Sequence, residues 1–177
     1  MKIGCCGNLK ERKMLRKIGF DFIECPVGMV MGKKEEELKQ IDNSNLPFYA
    51  FNCFIPGDLK ICGEKVDFNR LEEYVTEACR KVNLLGGTRI VFGSGTARKI
   101  PEGFPRQRAW NQIKDFLKMV IKPAKENNIT IVIEPLNQKE TNVLNTLSES
   151  MKMAEEINRI EVIKVLLEAG ADVSAYE

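Results

Sequence analysis

The segment from Ile129 to Asn145 reads ITIVIEPLNQKETNVLN, a run of β-branched apolar residues that ends in Glu134 and is followed by a second carboxylate, Glu140. A carboxylate closing an apolar run is partly desolvated, so it needs a cation, a hydrogen-bond donor or a raised pKa. It could ligate a hard metal ion or remove a proton beside a carbonyl. It could equally pair with a Lys or Arg at the tip of a neighbouring strand, and spacing alone leaves these readings open. Glu24 repeats the pattern at the end of FDFIEC, and Asn52 with Cys53 does so at the end of PFYAFNCF. Gly93, Ser94 and Gly95, with Thr96 and Arg98 after them, offer backbone N–H groups and a guanidinium suited to a phosphate. GSGTAR is neither a Walker nor a dinucleotide fingerprint, however, and reads as well as a plain flexible loop.

Composition narrows the chemistry further. The 177 residues include no histidine, which excludes Ser-His-Asp and Cys-His nucleophilic sites and any His-ligated metal supplied by this chain. Cys5, Cys6, Cys25, Cys53, Cys62 and Cys79 form no CxxC pair and lie in or beside apolar runs, so small buried thiols in a reducing compartment are expected. A formal charge of +2 gives no reason to expect nucleic acid or an anionic membrane as a partner. No stretch reaches the length of a membrane span, and MKIGCCG lacks the pattern of a signal peptide; the expected location is cytoplasmic.

Short β-branched or aromatic runs alternate with amphipathic stretches. Strands are predicted at 1–5, 20–25, 47–54, 88–92 and 129–134, and helices at 8–18, 34–42, 68–85, 106–126 and 146–158. Asp67 should cap the third helix, and Pro123 should bend or break the last turn of the fourth. Strict alternation with crossover-length connections gives an α/β fold of parallel strands covered by helices. The fourth and fifth strands are continuously apolar, as expected when both faces are buried. Glycines, prolines and lone polar residues gather after the strands, where parallel α/β folds bind their ligands.

FDFIE, FNCFIPGDLKICG, FGSGTARKIPEGFP and IEPLNQKETNVLNT, in that order, make residues 1–158 resemble the sugar and sugar-phosphate isomerase/epimerase superfamily whose barrel is shared with xylose isomerase and endonuclease IV. The resemblance implies a (β/α) TIM-type barrel, closed by eight strands over ~250 residues. It implies that Glu134 is both a ligand to a divalent metal (Mn, Co, Mg or Zn) and a catalytic acid–base group. Glu140 and Asn137 would contact a sugar or sugar phosphate, and Cys53 would line the pocket. Glu24, Ser94 and Arg98 join the expected substrate-binding set on their strand-end positions.

The family's later metal ligands and second acid–base carboxylate have no counterpart here; the sequence continues RIEVIKVLLEAGADVSAYE. The expected architecture is therefore an incomplete barrel of about five βα units (1–158) with a C-terminal helical tail (159–177). In that tail, Glu161 to Ala175 faintly resembles half an ankyrin repeat. A sixth strand beginning at Lys164-Val165-Leu166 is the alternative. Open sheet edges expose unpaired N–H and C=O groups, so a homo-oligomer or a partner supplying the missing half-barrel is expected. Activity of this chain alone is doubtful on that view, and a non-catalytic half-barrel assembly module is the competing expectation.

Overall fold

The computed structural model describes residues 2–41, 46–157 and the backbone of 163–165. In chain order the elements are β1 (Gly4–Cys6), α1 (Arg12–Lys17), β2 (Phe22–Pro26), α2 (Val27–Met31), α3 (Glu35–Lys39), β3 (Phe48–Asn52), α4 (Phe68–Leu84), β4 (Arg89–Phe92), α5 (Gly95–Arg98), α6 (Arg106–Glu126), β5 (Thr130–Ile133), α7 (Leu147–Ile157) and β6 (Ile163–Val165). The strands form one sheet in the order β1-β2-β3-β4-β5-β6, and each neighbouring pair is parallel. Sequential parallel pairing joined by helices is an incomplete barrel of βα units. Among the described residues β1 and β6 are its two edges.

Burial alternates along the strands. Ile23 and Cys25, Ile90 and Phe92, and Ile131 and Ile133 are closed off. They belong to one core with Leu71, Val75 and Val82 of α4 and Ile113, Phe116 and Val120 of α6. Phe22, Glu24, Arg89, Val91 and Thr130 take the alternate positions and are only half buried. β4 departs from the expectation of burial on both faces, since Arg89 and Val91 are half buried and its inner face stays partly open, whereas β5 meets it from Ile131 to Ile133, Val132 being 9% exposed. On that inner face Phe22 and Tyr49 pack with ring centroids 4.8 Å apart, and the Arg89 guanidinium lies 4.2 Å over the Tyr49 ring. Gly4 makes room for this layer, since a Cβ there would lie 2.0 Å from the Phe22 ring.

Local signals set several element ends. The Asp67 carboxylate accepts the Arg70 N–H (3.0 Å), which caps α4. The Glu149 N–H donates to Thr146 Oγ1 (3.1 Å) while Glu149 Oε2 accepts the Asn145 N–H (2.6 Å), a reciprocal arrangement akin to a capping box at α7. α6 covers 106–126 as predicted but runs through Pro123, which is buried; the break expected there does not occur. Proline lacks an N–H, and the apolar stripe of α6 packed against the sheet outweighs the one missing helical bond. α2 and α5 were not predicted; each is too short for helical periodicity to register.

The helical tail is corrected at one place. Residues 163–165 are a strand, with Ile163 opposite Ile131, Lys164 opposite Val132 and Val165 opposite Ile133. The free edge of β5 offers unpaired backbone groups, and a segment with two β-branched residues satisfies them better than an isolated helical turn would. The rest of the tail, 158–162 and 166–177, lies outside the described residues.

Candidate active site at the carboxyl ends of the strands

Three loops meet beyond the strand ends, and their backbone groups are tied together. The Ile61 N–H donates to the Ala97 carbonyl (3.0 Å), and the Ile55 N–H donates to Ser94 Oγ (3.0 Å). The side-chain amide of Gln112 exchanges two hydrogen bonds with the backbone of Gly63 (2.9 and 3.0 Å). That of Asn142 does the same with Ile100 (2.9 and 3.0 Å). Each amide stands in for a strand neighbour, so Gly63 and Ile100 have both backbone groups paired outside regular structure. The conspicuous motifs FIPGDLKICG, GSGTARKIP and NVLN therefore build a rigid rim.

Glu134 follows the last residue of β5, and its N–H donates to the Phe92 carbonyl (3.3 Å). Its carboxylate lies against Gly93, where a Cβ would approach Oε2 to 2.4 Å. A side chain there would push the Glu134 carboxylate from its seat. Burial raises the Glu134 pKa from its ordinary value, the nearby charge of Glu24 raises it further, and Arg98 opposes the shift. Among the described residues no ion pair reaches this carboxylate, so the strand-tip salt bridge is not its partner.

Glu24 lies on the inner face of β2, in register with Cys6 on β1. Cys53 follows β3 with φ 49°, a left-handed conformation unusual for a non-glycine residue, and its thiol is exposed. Burial and then the charges of Glu134 and Glu24 push the Cys53 thiol up. Burial, Glu24, Cys5 and Glu134 raise Cys6 against the lowering effect of Asn52, whose amide donates to Cys6 Sγ (3.7 Å). The strand register sets Cys6 beside Glu24 and the Asn52 amide reaches Cys6 Sγ, so the ends of β1 and β3 and the inner face of β2 meet at one mouth, and Glu134 acts on both thiols there. Cys6 was missed in sequence; its alternation with Gly4 on a short strand is the only signal that points to it. Asn52 Oδ1 is buried there without a hydrogen-bond partner.

The remaining expected residues sit differently. Asn137 and Glu140 are exposed on the loop after β5, where the Asn137 amide donates to the Glu140 carboxylate and Asn137 Oδ1 accepts the Lys139 N–H (3.0 Å). Glu140 still contributes to raising Glu134, so this turn stands near the mouth. Ser94 has φ 43° and uses Oγ to hold the loop after β3. Arg98 is a correction. It is 0% exposed, and its guanidinium donates to the carbonyls of Phe92 (3.0 Å), Glu134 (2.9 Å) and Leu144 (3.2 Å). Burial lowers its pKa to about 10, which leaves it charged at neutral pH. A side chain so enclosed is a brace within the protein and does not face a phosphate. The loop around it takes its shape from α5 and the left-handed Ser94 rather than from a phosphate cradle.

The family resemblance implies a divalent metal at this mouth. Two carboxylates, two thiols and one amide oxygen line the mouth, but no group of three His, Cys, Asp or Glu side chains among the described residues is placed to hold one ion. These residues do not fit a resident metal, since hard cations need several converging oxygens. What the arrangement does offer is a half-buried carboxyl disposed to accept a proton, beside a second carboxyl and polar groups able to orient a small hydroxylated ligand. A separate groove outside the sheet, lined by Met31, Leu59 and Tyr74, lies away from this mouth. Among the described residues no helix is long and apolar enough to cross a membrane.

Comparison with known proteins agrees with this architecture. D-psicose 3-epimerase, solved in the presence of D-fructose, superposes with a TM-score of 0.80 at 17% identity, covering 93% of this chain and 62% of its own. L-ribulose 3-epimerase gives 0.75 at 22% identity, with 99% and 65% covered. 3-Keto-D-glucoside 4-epimerase from E. coli gives 0.74 at 22% identity, with 93% and 67% covered. At these identities the likeness establishes the fold, and the chain spans 62 to 67% of the length of these proteins. No curated protein sequence matches it. The family profile described as xylose isomerase-like TIM barrel matches residues 13–171, and on that match the chain belongs to the xylose isomerase-like TIM barrel family.

Proposed function

We propose that the mouth is a sugar isomerase or epimerase site, in which Glu134 moves a proton on the carbon beside a carbonyl. The observation that carries this reading is the Glu134 carboxyl, half buried at the strand ends, seated against Gly93 and shifted towards neutral pH by burial and Glu24. A raised pKa makes the Glu134 carboxylate a stronger base towards a carbon-bound proton. The carboxylate takes the proton from carbon and the carbonyl oxygen gains the negative charge of the enolate; returning the proton to carbon regenerates the carboxylate. One carboxylate can serve both adjoining carbons of an enediol on one face, whereas inversion at a carbon needs a second group opposite. Glu24 and Cys53 border the pocket, and Asn137, Glu140 and Ser94 contribute to its outer edge. Support for a small sugar as substrate comes from the three epimerases that share the fold.

The test is deuterium incorporation from heavy water into ketoses, read by NMR. Glu134→Gln should lower it on the order of a hundredfold or more. Equal incorporation in both proteins would remove the base role.

A second reading, a self-associating half-barrel, is favoured by a different observation. Among the described residues β1 is paired on one side only, and Ile3, Met14 and Ile18 on and beside the first βα unit are 53%, 56% and 64% exposed. The two readings are compatible, because association could complete the site.

A further inference from the structure

Resting on the proton-transfer reading, we propose that Arg98 is a positioning residue for Glu134, fixing the peptide that carries the base to the end of β4 and to the loop before α7. One guanidinium binds three carbonyls from three segments: Phe92 at the end of β4, Glu134 itself, and Leu144 before α7. The bond to Glu134 is made at the peptide of the residue whose side chain would do the chemistry. Leu144 has φ 55°, a conformation that costs energy for a branched side chain and persists only where its surroundings impose it. The Arg98 bond to its carbonyl, together with the Leu136 N–H (3.1 Å), supplies that constraint.

The head group also lies over the Phe92 ring, 5.4 Å from its centroid. Its Nε is buried without a partner, so the three carbonyl bonds outweigh an unsatisfied donor in a closed site. A planar fork of fixed donors can span three acceptors in this way; a lysine ammonium of different reach cannot reproduce the same set. From the opposite side, the missing side chain of Gly93 provides the space for the carboxylate. Glu134 is thus held by its backbone through Arg98 and given its place by Gly93. Arg98 is 0% exposed and meets the mouth only at Glu134 among the residues assigned to it, so its influence on a bound sugar would pass through Glu134.

The experiment uses the full chain labelled with carbon-13 at its glutamate carboxyls. The Glu134 signal is identified by its loss in Glu134→Gln, and spectra of wild type, Arg98→Lys and Arg98→Met are compared at one pH. We expect Arg98→Lys to melt cooperatively while its Glu134 signal moves or splits and the remote Glu72 and Glu126 signals stay in place. Arg98→Met should show the same change, larger. If Arg98→Met does not fold, Arg98→Lys carries the comparison. A Glu134 signal that superimposes on wild type in a folded Arg98 variant overturns the proposal. With D-fructose in heavy water, Arg98→Lys should lose on the order of a hundredfold in kcat with KM within about twofold, as expected for a misplaced reacting group. A loss carried by KM would make Arg98 a binding residue and also overturn it. If Glu134→Gln leaves exchange unchanged, the proton-transfer reading fails while the carboxyl spectra still decide whether Arg98 positions Glu134.

Discussion

The Glu134 carboxyl is half buried beside Glu24, and both circumstances disfavour its ionised form. Its folded pKa therefore lies above the value in the unfolded chain. Below the unfolded pKa both states hold the proton, and the site costs nothing through charge. As pH rises through the folded pKa, the folded protein must ionise an unfavourable group, and stability is lost. Glu134→Gln should consequently melt at a higher temperature than wild type at neutral pH, with the gap closing towards about pH 3, below the ordinary glutamate range. Thermal melts across pH check this; a variant less stable than wild type at neutral pH would contradict the sign. The thiols provide a second prediction at this scale. Burial pushes Cys25 and Cys79 up to about 12 and Cys62 up to about 11, whereas Cys6 and Cys53 are exposed at the mouth. Labelling of native protein near pH 8, close to the ordinary thiol range, should modify Cys53 and Cys6 and spare Cys25, Cys62 and Cys79 until denaturant is added. Peptide mass mapping reads the result.

Among the elements, α4 and α6 show how far local pattern reaches. Both were predicted to within a residue, because a long apolar stripe at helical period admits one face towards the sheet. The α4 cap adds a sharp start, and Asp67→Ala should cost about 1 kcal/mol of stability by leaving the Arg70 N–H without its acceptor. Urea denaturation measures it; a change within error would mean that water replaces the cap fully. The strands were placed correctly but drawn too long, since apolar residues at their ends serve turns instead. At Gly87, between α4 and β4, a Cβ would come 2.4 Å from Phe51 and 2.7 Å from Val82. The helix-to-strand turn is closely packed there, which the sequence shows only as a pair of glycines.

At the scale of the molecule, the open arc leaves the outer edge of β1 unpaired among the described residues. Backbone groups on the outer side of β1 must meet water, another strand or another chain. Ile3, Met14 and Ile18 stand exposed at the same end of the sheet. Burying an apolar side chain of this size contributes ~1.5–3 kcal/mol, so contacts at Ile3, Met14 and Ile18 would add to edge pairing of β1 in favouring association. Light scattering coupled to size exclusion should show a homo-oligomer for wild type and a shift to monomer for Met14→Glu with Ile18→Lys. A wild-type monomer at that concentration would remove the self-associating reading.

What the sequence determined alone is the alternation of strands and helices, the parallel class of the sheet, and the positions of Cys53 and Glu134 just past strand ends. Those follow from periodicity and from the polarity step at the end of each apolar run, which are properties of neighbouring residues. Glu24, expected at the end of the second strand, lies mid-strand on the inner face of β2. Tertiary structure decided the rest: the use of Arg98 as an internal brace, the entry of Cys6 into the mouth, the space that Gly93 leaves for Glu134, and the strand at 163–165. Each depends on which distant backbone groups need a partner or which space is already filled, and no short stretch of chain encodes that by itself. GSGTAR shows the limit most clearly, because its arginine reads as a surface cation until three carbonyls from separate segments enclose it.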